Sequence, residues 1–170
     1  MDKIIILFLI LAFTVLSGCS NDLQLDNSQL DNSARLKELD DYWAEVSRCV
    51  KDGDFNGYKA TCHKDGVFVS GPSNKAYPLS KALERWEPDF TDAKSGKTKT
   101  SVEFRFSKRL GDSTTAHETG MFCYTRINAD GTKTMYYIDL EALLIKRGTW
   151  KIMMEYQKSE GNEKEWNKLK

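Results

Sequence analysis

One carboxylate is a candidate for acid–base chemistry: Glu118, in the alternating segment from residue 114 to 126. Alternation places Glu118 on the same face as the small residues Ala116 and Gly120, which would let a helix approach closely, so we assign that face to the interior. A carboxyl group in an apolar interior has a raised pKa and could act as a general acid or base. Two simpler explanations stay open: Glu118 is paired with a Lys or Arg, or the strand runs in the opposite phase.

The histidines and cysteines do not have the spacing of a metal site. Behind the first 20 residues they are His63, His117, Cys49, Cys62 and Cys123. Zinc sites pair their ligands in CxxC or HxxxH arrangements, which this sequence lacks, so we predict no metal and no cofactor. His117 is expected to face away from the interior. The three cysteines are expected to be buried free thiols, with a disulfide between Cys49 and Cys62 as the alternative.

Six aromatic side chains could contact an apolar ligand. They are Trp43, Tyr58, Phe68, Trp86, Tyr124 and Tyr136. Aromatic residues at helical or strand spacing usually fill a core. As a group, they could instead line a cavity, and we predict them as the ligand-binding set.

The first part of the folded domain is predicted to be helical. Apolar residues recur at steps of three and four: Leu36, Leu39, Trp43, Val46 and Val50. This spacing forms one face of a helix that Ser33 could cap and Gly53 could end. Asp54 then caps a second, shorter helix. A short strand at residues 66–71, a third helix of about two turns started by Ser80 and closed before Pro88, and a polar loop at 92–100 come next.

The remainder of the chain alternates with period two. Strands are predicted at residues 102–107, 114–126, 134–146 and 150–157, separated by turns that contain glycine. Helices first and strands afterwards indicate an α+β domain, with helices on one face of a curved antiparallel sheet.

The N-terminus carries a candidate leader. An apolar run covers residues 4–16, which is too short to span a bilayer and suits a signal peptide over residues 1–18. Its end, Leu16-Ser17-Gly18-Cys19, resembles the bacterial lipobox. That resemblance implies lipidation of Cys19, a membrane anchor and a place in the bacterial envelope, on the periplasmic side of the outer membrane in a Gram-negative host.

Composition divides the chain behind the leader into three parts. Residues 19–33 are rich in Asp, Asn and Ser and are predicted to be a flexible tether. Residues 34–159 form the folded domain. Residues 160–170 are predicted to be a polar tail, frayed or disordered.

Several features of the folded part occur in a familiar order. They are a tryptophan-bearing first helix ending at Gly53-Asp54, an aromatic second helix, the strand Val67-Phe68-Val69, Gly111-Asp112 ahead of Ala116 and Gly120, and the segment from Leu144 to Ile152. Together they resemble the nuclear transport factor 2-like superfamily, the α+β cone fold shared by ketosteroid isomerase and the SnoaL-like polyketide cyclases. The resemblance implies a sheet wrapped around the N-terminal helices, a pocket at the open end of the cone, and homodimers through the outer sheet face. The acidic groups of ketosteroid isomerase find no corresponding positions here, so no catalytic residue is carried over.

The charge balance and these features leave three hypotheses. The chain has 25 basic and 25 acidic residues, so no net field favours nucleic acid as a partner. We favour a membrane-anchored, non-catalytic domain that binds a small apolar molecule or assembles as a dimer. The alternative is an isomerase, cyclase or dehydratase acting on a polyketide- or steroid-like substrate through Glu118. A third hypothesis is an envelope module that binds a protein partner through its sheet face.

Overall fold

The structure of this chain is a computed structural model that describes residues 21–169, with side chains from residue 31 onward. In chain order its elements are α1 (Asn21–Asp52), α2 (Phe55–Thr61), β1 (Cys62–Ser70), β2 (Lys75–Pro78), α3 (Leu79–Lys94), β3 (Thr98–Gly111), β4 (Thr115–Asn128), β5 (Lys133–Arg147), β6 (Thr149–Glu160) and α4 (Glu163–Trp166). The predicted signal peptide and Cys19 lie outside the described residues. Among the helices from residue 21 onward, none is both long and apolar enough to cross a membrane.

Helix α1 packs its predicted apolar face into the domain, but it begins earlier than the sequence suggests. Leu39, Trp43 and Val46 are buried in the core. The described chain is helical from its first residue, Asn21, rather than only after Ser33, so this part of the expected flexible tether is helical. Extending an existing helix needs no new nucleation, and Asn, Asp or Ser each cost only about 0.7 kcal/mol or less within it. A composition that favours turns therefore does not by itself end a helix.

The turn between α1 and α2 has the predicted geometry. Gly53 has a φ of +64°, and a Cβ atom there would come within 2.4 Å of the backbone nitrogen of Lys94. Both the left-handed backbone and the close approach require glycine at this position. The Asp54 carboxylate then accepts a hydrogen bond of 2.9 Å from the backbone N–H of Gly57 and caps α2.

Helix α3 continues past the proline that was expected to end it. It runs to Lys94 with Pro88 inside, which corrects the prediction of a helix closed before this residue. A proline within a helix costs roughly 3 kcal/mol because it removes a backbone hydrogen bond. The additional turns bury Phe90, whose ring lies 5.6 Å from that of Phe55 and 5.0 Å from that of Tyr58. The packing of Phe90 therefore offsets the cost of Pro88, which is the feature that led the sequence to predict an earlier helix end.

The six strands form one curved sheet in the order β2-β1-β6-β5-β4-β3. Strands β3 to β6 are an antiparallel meander, as predicted, and β2 pairs with β1 in the same way. The exception is β1, which lies parallel to β6, so the sheet is mixed rather than wholly antiparallel. Hydrophobic alternation identifies a strand but carries no information about its partner, and β2, which borders β1 on its other side, had not been predicted.

The C-terminal segment is ordered, against expectation. Asn162 and Glu165 form a capping box at the start of α4, and Trp166 is only 5% exposed against Met121 and Cys123 of β4. Arg105 lies over the Trp166 ring at 4.2 Å and donates a hydrogen bond of 2.9 Å to its carbonyl oxygen. Trp166 stands among charged residues in the sequence, so its packing was not predicted. In the structure it covers part of the outer sheet face.

Candidate functional site

The concave face of the sheet and helices α1 to α3 enclose a cavity of about 310 Å³. Its lining is mainly aromatic and aliphatic. The lining residues are Tyr42, Trp43, Val46, Val50, Tyr58, Thr61, Cys62, Trp86, Asp89, Phe90, Thr100, Val102, Phe104, Phe122, Tyr124, Tyr136, Ile138, Leu140, Ile152, Glu155 and Gln157. This is the size and character of a site for a small, largely apolar molecule.

The structure brings five of the six predicted aromatic residues to the cavity. They are Trp43, Tyr58, Trp86, Tyr124 and Tyr136. Phe68 is not a lining residue: it is 4% exposed and packs behind the wall, with its ring 5.4 Å from Trp86 and 5.3 Å from Tyr77. Contact between the five lining residues and a ligand stays a prediction.

Glu118 faces the interior, yet it does not line the cavity. It is fully buried and accepts hydrogen bonds from Nε1 of Trp43 and, at 2.5 Å, from Nε of Arg109. Arg109 also contacts Asp40 on α1, with 2.5 Å between Nη1 and Oδ1. Pairing with an Arg was one of the two simpler explanations for this carboxylate, and it is the arrangement observed. Glu118 therefore ties β4 to β3 and α1, with both carboxylate oxygens already engaged.

A β-bulge decides which cation meets Glu118. Phe106 lies opposite Gly120, but Lys108 lies opposite Thr119, so Ser107 is an extra residue in β3. Strict alternation from Phe106 would place Lys108 on the inner face. The bulge instead places Arg109 opposite Glu118, which period-two reasoning does not predict.

The carboxyl group that does line the cavity is Glu155 on β6. Glu155 is only 8% exposed, and its Oε1 atom accepts a hydrogen bond of 2.7 Å from Nε2 of Gln157. Burial raises the pKa of Glu155 to about 7, because a carboxylate loses its water shell there. This residue is therefore both protonated and ionised in comparable amounts near neutral pH.

Sequence reasoning missed Glu155 because a second bulge inverts the phase of β6. Leu144 lies opposite Ile152 and Leu143 opposite Met154, so Met153 is the extra residue. Before the bulge the inner residues are even-numbered; beyond it Glu155 is buried. The adjacent apolar pair Met153-Met154 breaks the alternation and was the available signal in the sequence.

Hydroxyl and thiol groups surround Glu155 and stay protonated near neutral pH. Burial raises the pKa of Tyr42 and of Tyr58 well above the usual value, and that of Cys62 to about 12, with the Glu155 carboxyl contributing in each case. The Tyr42 hydroxyl donates a hydrogen bond of 3.3 Å to the carbonyl oxygen of Thr61. This end of the cavity thus combines phenol and thiol groups with a titratable carboxyl.

The other end of the cavity opens to solvent. Tyr136 is 50% exposed, and its ring lies 6.3 Å from that of Tyr124. Asp89 of α3 is bridged across this opening to Arg126 of β4, with 2.6 Å between Oδ1 and Nη1. The cavity therefore has an aromatic mouth with an ion pair at its rim.

The histidines and cysteines described from residue 31 onward form no metal-binding cluster. His117 lies near Glu141, with 3.5 Å between Nε2 and Oε2. Cys49, Cys62 and Cys123 are free thiols, as expected, although Cys62 is half-buried rather than buried. Among the side chains of residues 31–169, no three of His, Cys, Asp or Glu come together in a way that could hold a metal ion.

Comparison with known proteins adds to this geometry at the level of fold. No family model and no curated sequence matches the chain. Solved structures do: ActVI-ORFA from Streptomyces coelicolor is 18% identical, with a TM-score of 0.57 over 71% of this chain and 93% of that one. An NTF-2 like protein of unknown function from Shewanella oneidensis is 13% identical, with a TM-score of 0.56 over 71% and 96% of the two chains. The chain has the nuclear transport factor 2-like fold.

A further structure supports the same assignment. A ketosteroid isomerase-like protein from Erwinia carotovora atroseptica is 16% identical, with a TM-score of 0.52 over 72% of this chain and 93% of that chain. The expected resemblance to the nuclear transport factor 2-like fold is confirmed. The predicted class, an α+β domain with a curved sheet around N-terminal helices, is confirmed as well. Sequence identities this low show a shared fold but not a shared activity.

Proposed function

We propose that this nuclear transport factor 2-like domain binds a small, largely apolar molecule in the cavity, with a polar group of the ligand at Glu155. The observation that carries the proposal is an open aromatic cavity that ends at one buried, titratable carboxyl group. A purely structural module would fill this space with side chains. Burial of apolar ligand surface supplies affinity, and the single polar end supplies orientation.

Anchoring at a membrane is the second part of the proposal. It rests on the lipobox-like sequence that ends at Cys19 and on the apolar run before it. A lipidated Cys19 would hold the binding domain at the envelope, facing the periplasm in a Gram-negative host. Metabolic labelling with an alkyne fatty acid tests this: the chain should be labelled, and a Cys19→Ser variant should not.

Dimerisation through the sheet, which the resemblance implied, stays a proposal. Trp166 occupies part of the outer face that such a dimer would use, against Met121 and Cys123. A dimer would therefore have to use the remainder of that face or displace α4.

A second candidate function is proton transfer on the bound molecule. A pKa of about 7 suits a general acid–base group at neutral pH, and the phenol groups of Tyr42 and Tyr58 lie on the same side of the cavity. An isomerase, cyclase or dehydratase acting on a polyketide- or steroid-like substrate would use Glu155 rather than Glu118. Turnover that is lost in Glu155→Gln while binding is kept would favour this function.

Ligand-induced stabilisation tests the binding proposal. Steroids, fatty acids and aromatic polyketides are screened by thermal shift against the full chain in phosphatidylcholine nanodiscs, with empty nanodiscs as the blank. A ligand at a hundredfold its dissociation constant should add ~2.7 kcal/mol, a shift of several degrees.

Two matched variants locate the binding site. Ile138→Trp places a larger side chain in the cavity, whereas Ile145→Trp makes the same change on β5 at a residue that does not line it. The first should lose the ligand-induced shift and the second should keep it. No shift with any ligand, or an unchanged shift in Ile138→Trp, would contradict the proposal.

A further inference from the structure

The geometry points to a cationic ligand: an organic amine whose ammonium group pairs with Glu155 and whose apolar body lies among the aromatic walls. This inference rests on the proposed binding function and specifies the chemical class of the ligand. It is drawn from the distribution of charge in the cavity, from the surroundings of Glu155 and from the composition of the walls.

The cavity lining carries negative groups without positive ones. Glu155 and Asp89 are its carboxyl groups, and across the described residues no Lys, Arg or His lines it. Asp89 is already paired at the rim with Arg126. Glu155 is therefore the carboxyl group in the lining that has no cation of its own.

The neighbours of Glu155 in the sheet are apolar on both sides. It lies opposite Ala142 of β5 and Phe68 of β1, so neither adjacent strand offers it a charge. From its own strand it receives the neutral amide of Gln157 at 2.7 Å. A buried carboxylate is costly without a cation, and an ammonium group would supply both the charge and strong hydrogen bonds.

The walls suit a cation as well as a hydrocarbon. The Tyr58 ring lies 6.1 Å from Trp86 and 5.0 Å from Phe90, and all three line the cavity beside Trp43. Aromatic faces attract ammonium groups, and they pack equally well against the apolar remainder of an amine. A carboxylate combined with aromatic faces is a typical recognition site for amines.

Glu155 is the cavity group expected to titrate between pH 5 and 9. The groups that face it are Tyr42 of α1, Tyr58 of α2, Cys62 of β1 and Gln157, and burial raises the pKa of the two phenols and of the thiol far above this range. A change in affinity over this interval therefore reports on Glu155.

The direction of that change separates two kinds of ligand. An amine requires the ionised carboxylate, so its affinity should rise as the pH passes through the Glu155 pKa of about 7. A neutral ligand that accepts a hydrogen bond from the protonated carboxyl should bind more weakly over the same range. The two ligand classes thus give opposite slopes.

A pair of probes of the same shape provides the experiment. Tryptamine carries an ammonium group, which stays protonated to about pH 10 as a lysine side chain does, and tryptophol carries a hydroxyl in its place. Binding of both to the full chain in phosphatidylcholine nanodiscs is measured by calorimetry at pH 5.5 and 8.5. Tryptamine should bind about 30-fold more tightly at the higher pH, since the ionised fraction of Glu155 rises from about 3% to 97%.

Variants assign the effect to one residue. Glu155→Gln keeps the shape of the side chain without the charge, so it should abolish the pH dependence and weaken tryptamine at pH 8.5 by at least about tenfold. Glu160→Gln makes the same change at an exposed residue of the same strand and should leave both probes unaffected.

Three results would overturn the inference: tryptophol binding as tightly as tryptamine at pH 8.5, tryptamine affinity that does not fall at pH 5.5, or no tryptamine binding at millimolar concentration. The proposed binding function fails separately. It is judged by the neutral ligands and by Ile138→Trp, so a neutral ligand lost in that variant would leave the function standing while the amine is excluded.

Discussion

Truncation of Glu118 is expected to destabilise the domain strongly, although this residue lies outside the cavity. Glu118→Ala removes the carboxylate that accepts hydrogen bonds from Trp43 and Arg109. The indole N–H left without an acceptor costs about 1–3 kcal/mol, and the side chain removed from a fully buried position leaves a cavity.

The size of the stability loss depends on the contacts that Trp43 and Arg109 keep after the substitution. Arg109 keeps Asp40 and has a side chain that is 20% exposed, so its charge is not stranded. We therefore expect the free energy of unfolding to fall by about 2–4 kcal/mol, from the indole N–H left without an acceptor and the cavity left by the side chain. For a domain of this size the melting temperature should fall by about 10 °C.

Urea unfolding followed by tryptophan fluorescence measures this change. Glu118→Gln keeps the shape and an acceptor oxygen, so it should lose less than the alanine variant. Glu103→Ala, at an exposed residue of β3, should stay within about 0.5 kcal/mol of the unsubstituted chain. A loss below about 1 kcal/mol for Glu118→Ala would refute the view that this cluster joins α1 to the sheet.

Two further predictions concern Glu155 and Trp166. The pKa of Glu155 is raised by burial from 4.5 to about 7, so its protonated form contributes stability that is complete below about pH 4.5 and lost as the pH rises through 7. Without ligand, the free energy of unfolding should fall by ~3 kcal/mol over this range, and Glu155→Gln should abolish the fall. Urea unfolding measures both pH profiles. Parallel profiles for the unsubstituted chain and Glu155→Gln would contradict the assignment. Trp166→Ala should cost about 3 kcal/mol and speed the reaction of Cys123 with a thiol reagent, because the indole covers that thiol. Lys168→Ala, at an exposed residue of the same segment, is the control, and equal reaction rates in the two variants would show that Trp166 does not shield the thiol.

Local features of the chain predicted most of the elements. The heptad-like spacing of α1, the Gly53-Asp54 turn and the alternation of β3 to β6 each depend on neighbours within a few residues, and each is confirmed. Where a local penalty competed with packing, prediction was wrong: α3 passes through Pro88 because Phe90 is buried beyond it. The tail was misjudged for the same reason, since its charges are local and the contacts of Trp166 are not.

The sequence by itself determined that the chain is an α+β domain, which face of α1 is buried, and that Glu118 points inward, because periodicity is a property of consecutive residues. The tertiary structure decided the chemistry. An extra residue at Ser107 places Arg109 rather than Lys108 beside Glu118, and one at Met153 turns Glu155 into the cavity. Bulges arise from the pairing between strands distant in the chain, and a shift of one residue exchanges the two faces, so alternation alone could not show which carboxyl group the cavity receives.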